Sequence, residues 1–114
     1  MNKELSAILG PVVKRVREAD KYSWALLKNG INDTGFYFAD SLHEQMVMEY
    51  FGSACERALQ RLPDDAFNQL MVIYYSTFPM TERGASRSDV TAHYSMVCLE
   101  EILRRARLAA ARSF

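Results

Sequence analysis

Apolar residues recur three and four positions apart along four stretches of this chain, the spacing of helices with one buried face. The first stretch starts at Pro11, whose missing N–H suits a first helical turn. It continues through Val12, Val16, Ala19, Ser23 and Leu26 and stops at Asn29-Gly30. Trp24 falls on the neighbouring face with Val13, Val16 and Leu27, which broadens the apolar stripe. Residues 2–9 read as a short preceding turn of helix, broken at Gly10-Pro11.

Ser41-Leu42-His43-Glu44 has the spacing of a capping box and opens a second helix. Its inward face is predicted to be Val47, Tyr50, Phe51, Ala54, Ala58, Leu59 and Leu62, and Pro63 ends it. A third helix follows over about 64–76, with Asp64 and Asp65 at its positive start and Phe67, Leu70, Met71 and Tyr74 inward. Thr77-Phe78-Pro79 closes it. Ser86, Arg87, Ser88 and Asp89 supply caps for the last and longest helix, on which Ala92, Met96, Leu99, Ile102, Leu103, Ala106 and Ala110 form one stripe. Between the first two helices, Asn32-Asp33-Thr34-Gly35 and then Phe36-Tyr37-Phe38 read as a turn and an aromatic stretch. No second strand-patterned run exists to pair with it, so it is expected to plug the core as a loop. The pattern predicts an all-α fold in a single domain, 1–114. It is a compact bundle of four main helices (about 11–28, 41–62, 64–76 and 87–112) with an aromatic loop at 31–39.

Composition narrows the class without naming a job. At 114 residues, with 49% apolar and 25% charged residues, there is enough chain for one core and no second. No apolar run approaches the roughly 20 residues of a membrane span, and the N-terminus carries no signal-like apolar core, so a cytoplasmic protein is expected. The 14 basic and 14 acidic residues cancel, which argues against holding nucleic acid by bulk charge. One local asymmetry stands out: Arg104, Arg105, Arg107 and Arg112 occupy a stretch without an acid. They either complement a helix C-terminus or meet an acidic partner or polyanion.

Catalytic chemistry finds little support in the spacing. Cys55 and Cys98 sit in apolar helical segments and read as reduced core thiols. His93 and Cys98, five apart, point about 140° away from each other on a helix, so they do not make a local nucleophile–base pair. His43-Glu44 and Asp89/His93 offer at most two metal ligands per helix, and Asp89 with His93 is expected to form a surface ion pair. The five glycines are scattered outside any phosphate-binding spacing. No enzyme activity, metal or cofactor is therefore expected.

The sharpest physical signal is Leu70-Met71-Val72-Ile73-Tyr74-Tyr75, an apolar row that covers every face of a helix. Part of it must meet something other than the helix's own core. Val72 and Tyr75 are expected outside the intramolecular stripe, with Met71 and Phe78 completing a partner-binding set, and a second copy of the chain counts among the candidate partners.

Several segments resemble known regulators. Leu62-Pro63-Asp64-Asp65, Leu70-Met71, Tyr74-Tyr75, Met80-Thr81, Ser86-Arg87-Ser88-Asp89-Val90 and Leu103-Arg104-Arg105-Ala106-Arg107 are similar to the C-terminal part of small phage Q-type antitermination proteins. They are also similar to the helix-turn-helix of sigma region 4. The resemblance implies a two-helix DNA reader and a phage or mobile-element origin. Arg87, Ser88 and Thr91 would then stand at the start of a recognition helix, with Arg104 and Arg105 as further nucleic-acid contacts. Only Glu82 to Ala85 separate Met80-Thr81 from Ser86, so the first helix of such a reader is missing. The function expected from these readings is a small non-enzymatic helical regulator or inhibitor that binds a host protein. A DNA-binding regulator using the start of the last helix is the alternative.

Overall fold

Asn2, not Pro11, starts the first helix. In the computed structural model, which describes residues 1–31, 41–79 and 84–112, the Asn2 Oδ1 accepts the Leu5 amide at 2.7 Å and caps α1, Lys3–Ala19. Pro11 lies inside that helix, and residues 2–9 are no separate turn. A mid-helix proline removes one backbone hydrogen bond and crowds the preceding turn. The helix is held through it because Leu9, Val12, Val13 and Val16 lie buried on both sides of the proline in one helical phase. Each such side chain contributes about 1.5–3 kcal/mol by burial, which outweighs the local defect.

The predicted 11–28 helix is two helices. Asp20 leaves helical geometry at φ −143°, ψ 101° and caps α2, Lys21–Asn29. Its Oδ1 accepts the Tyr22 and Ser23 amides at 3.0 and 3.2 Å, and its Oδ2 accepts the Ser23 hydroxyl at 2.9 Å. These bonds, that of Ser23's amide foremost, hold the Asp20 carboxyl below its ordinary pKa. The Tyr50 hydroxyl also reaches Asp20 Oδ2, at 3.4 Å, and so ties the corner to the next helix. The break turns Ala19 to solvent and lets Leu27 be fully buried.

The remaining helices are α3, Ser41–Gln60, α4, Asp64–Thr77, and α5, Arg87–Ala111, making five helices among the described residues where four main ones were expected. The aromatic loop at 31–39 falls, after Ile31, outside the described residues, as does the side-chain capping box at 41–44. Ser86 caps α5 in a reciprocal box: its hydroxyl accepts the Asp89 amide at 3.1 Å, and the Asp89 carboxylate accepts the Ser86 amide at 2.9 Å.

At 25 residues α5 is about 37 Å long. It packs against all four other helices and most extensively against α3. The core gathers Val12 and Val16 from α1, Phe51 and Leu59 from α3, Phe67 and Leu70 from α4, and Tyr94, Ile102 and Ala106 from α5. The predicted α5 stripe is correct from Leu99 onward and misphased before it. Ala92 and Met96 face solvent, while Val90, Thr91, Tyr94 and Ser95 turn inward. Tyr94 takes the inner position because Tyr74 and His93 pack edge-on against its ring, and burial pushes its hydroxyl pKa up. Cys55 and Cys98 are free thiols, both fully buried, and face each other between α3 and α5. No helix is long and apolar enough to cross a membrane among the described residues.

Candidate functional site

Helix α4 meets neighbours on several sides, and that decides the fate of its apolar row. Leu70 and Ile73 enter the core, and Met71 and Tyr74 pack half-buried against it. The Tyr75 hydroxyl donates to the Ala85 carbonyl at 3.0 Å, latching the end of α4 to the segment that leads into α5. Phe78 packs tilted against Tyr74 at 4.9 Å and edge-on against His93 at 5.0 Å. Of the expected partner-binding set, Met71, Tyr75 and Phe78 are thus engaged within the chain. Val72 alone is largely free, 66% exposed.

Val72 stands at the edge of an open groove of about 570 Å³ between the first turns of α1 and the middle of α4. Ala7, Ile8 and Ile73 supply its apolar lining beside Val72, while Glu4, Asn68 and Gln69 supply the polar part. The groove is within the size range of small-ligand sites, and Glu4 is the titratable residue in its lining.

At the start of α5, Arg87 and Thr91 both make contacts within the chain. The Arg87 guanidinium carbon lies 4.0 Å from the Phe67 ring centroid, and an Arg87 nitrogen is 3.6 Å from the Asp64 carboxylate. Thr91 is 5% exposed, and its hydroxyl donates to the Arg87 carbonyl at 2.9 Å. A buried threonine cannot touch a base edge, so of the three residues assigned to the helix start only Ser88 is exposed without such an engagement. Residues 80–83, part of the expected reader, lie outside the described residues.

Farther along α5, Glu101 holds both arginines assigned to nucleic acid. Arg104 donates through Nε at 2.9 Å and Nη2 at 2.6 Å, and Arg105 through Nε at 3.2 Å. The hydrogen bonds from Arg104, then Arg105, hold the Glu101 carboxyl at about 2, well below its ordinary value. Both arginines also line a cleft of about 340 Å³, together with Arg17, Trp24, Leu108, Ala109 and Arg112. Sequence spacing brought the α5 arginines together but could not show that Arg17 and Trp24 come to meet them, because that depends on the Asp20 corner.

The remaining candidates resolve into packing. Asp89 caps its own helix and forms no ion pair with His93 among the described residues. His93 instead packs its ring between Tyr74, Phe78 and Tyr94. The side chains of His43 and Glu44 lie outside the described residues, and no group of three or more metal-ligating residues is present among the rest. The Cys98 thiol hydrogen-bonds to Cys55, which lowers the Cys55 pKa, while that bond and burial raise Cys98. No protein-family profile, curated protein or solved structure matches the chain.

Proposed function

We propose that this protein is a non-enzymatic helical regulator or inhibitor that acts by binding another protein in the groove between α1 and α4. The observation that carries the reading is the exposed Val72 beside the apolar lining of Ala7, Ile8 and Ile73. Exposed single apolar residues are ordinary on protein surfaces, but one continuous with a concave apolar slot is the usual seat of an anchor side chain. The slot suits one face of an amphipathic helix from the partner, and the Glu4 carboxylate at its edge favours a lysine or arginine flanking the anchor.

The test places a photo-crosslinking residue at Gln69, beside the slot, and a control at exposed Met96 on α5, in the cell that makes the protein. The expected result is an adduct formed from position 69 and absent from position 96, which Val72→Asp abolishes. Val72 is exposed, so that substitution should leave stability within about 0.5 kcal/mol. Identical adducts from both positions, or an adduct indifferent to Val72→Asp, would overturn the reading. An adduct of twice the 13.1 kDa chain mass would make the occupant a second copy and overturn the foreign partner.

A further inference from the structure

The cleft at Arg17 and Trp24 has a counterpart on the other flank of α1. There Arg15 from α1, Arg57 from α3 and Arg61, just past the end of α3, line a smaller cleft of about 160 Å³, together with Tyr50. With Arg17, Arg104, Arg105 and Arg112 in the first cleft, these account for seven of the 14 basic residues of a chain whose net charge is zero. Neutral overall, the protein has concentrated half of its positive charge beside the C-terminal half of one helix. No carboxylate lines either cleft. Arg15, Arg57, Arg61 and Arg112 form no ion pair among the described residues, and Arg17 reaches Glu18 only at 3.7 Å.

Helix electrostatics account for only part of this. A cation stabilises a helix C-terminus only within the last turn. Arg17 and Arg57 satisfy that condition on α1 and α3, and Arg61 and Arg112 stand at the ends of α3 and α5, whereas Arg15, Arg104 and Arg105 lie before the last turns of their helices. Glu101 already offsets the charge of Arg104 and Arg105, but the other guanidiniums in the clefts repel one another, and a bound polyanion would relieve that repulsion. Every cation in the two linings is an arginine, although the chain also has lysines. Arginine's planar fork grips phosphate oxygens two at a time. Each cleft also has one aromatic side chain, Trp24 or Tyr50, next to its guanidiniums. Arginine beside an accessible ring is how proteins hold a nucleic-acid strand whose bases are unpaired.

We infer that the two arginine-lined clefts flanking the C-terminal half of α1 bind single-stranded nucleic acid, with phosphates on the guanidiniums and bases against Trp24 and Tyr50. An acidic peptide would satisfy the charges and leave the rings unused. A duplex would present phosphates with its bases stacked out of reach. The site lies apart from the α1–α4 groove and stands whether or not a protein docks there.

The experiment is a fluorescence-anisotropy titration of the full chain with a labelled oligothymidylate across a salt series. Emission from Trp24, the only tryptophan, is followed in parallel. The expected result is saturable binding, quenching of Trp24, and a log–log salt slope of about −3, the value for roughly four phosphates at −0.7 each. Arg57→Gln with Arg61→Gln, and separately Arg104→Gln with Arg112→Gln, should each weaken binding by about tenfold or more at low salt. Far-UV circular dichroism confirms that both variants stay helical, and Arg87→Ala, remote from the clefts, should bind as the parent does. Absence of binding, or binding that either double variant leaves unchanged, would overturn the proposal. So would equally tight binding of a duplex of the same length, or competition by polyglutamate as effective as that of unlabelled strand.

Discussion

Arg87 lies over Phe67, its guanidinium carbon 4.0 Å from the ring centroid, and so fastens the first turn of α5 to the first turn of α4. The ring is buried in the core while the arginine remains half exposed and also faces Asp64. A cation over an aromatic ring contributes about 0.5–1 kcal/mol at an exposed site. The solvent-screened ion pair at 3.6 Å adds at most a few tenths. Arg87→Ala should therefore destabilise the protein by about 1 kcal/mol. Arg87→Lys should recover only part of that, since an ammonium lacks the flat stacking surface. Urea unfolding followed by circular dichroism measures both; a neutral Arg87→Ala would mean that the contact does not hold the helices together.

How much of this could be read from the sequence depended on whether a signal was local. The Ser86–Asp89 cap and the starts of α4 and α5 follow from residues within one turn of each other, and the structure has them where the sequence placed them. Asp20 was just as local, yet the apolar periodicity of Val12, Val16 and Leu26 continued across it and masked the cap. Tyr94 and Met96 posed a different problem. Both suit a helix interior, and the choice was made by Tyr74 of α4, which no spacing along α5 reveals. On α4 the excess of apolar positions was legible, but Tyr75's bond to Ala85 depends on the path of the chain after the helix. The clefts were legible only in halves: the α5 arginines form a run, while Arg17, Trp24, Arg15 and Arg57 arrive from three other helices.

Glu101 should give the protein a distinctive acid limb. Its pKa is about 2 in the folded chain against an ordinary 4.5, because Arg104 and Arg105 donate to the ionised form. A group whose pKa falls on folding stabilises fully above its unfolded value, and that contribution is lost as the pH drops through the folded value. The loss should therefore run from about pH 4.5 down to about pH 2. Carbon-detected NMR of the side-chain carboxyl should report a midpoint near 2, and Glu101→Gln should shrink the difference from the parent steadily across that window. A midpoint near 4.5 would mean that the two arginines are not held on Glu101 in solution.

The thiols offer a check on the α3–α5 seam. Cys55 and Cys98 have no exposed surface, and each sulfur has the other as a partner. A thiolate is the reactive species, but the lowered pKa of Cys55 cannot speed its reaction while no reagent can reach it. Both should react with an aromatic disulfide reagent at least about a hundredfold slower in the native protein than in denaturant, at a rate set by opening of the helix pair. Fast reaction of either thiol under native conditions would show that the seam is loose.

Pro11 is the clearest local conflict in the chain, and removing it should show what the surrounding packing tolerates. Its ring supplies no N–H to the Ala7 carbonyl, and a proline in a helix interior is about 3 kcal/mol less favourable than alanine. Part of that is returned through the unfolded state, whose freedom the ring restricts by about 0.4–1 kcal/mol. Pro11→Ala should thus stabilise the protein by about 2 kcal/mol and raise the melting temperature by several degrees. Gly10 provides an independent increment: a Cβ there would meet nothing within 4 Å, so Gly10→Ala should add about 0.5–1 kcal/mol from helix propensity alone. Both residues belong to one continuous helix whose buried side chains flank them, so the gains should appear in global unfolding rather than as local stiffening. If Pro11→Ala instead left stability unchanged or lowered it, α1 would be two helices meeting at Gly10-Pro11 in solution, and the α1 side of the groove beside Val72 would have to be redrawn.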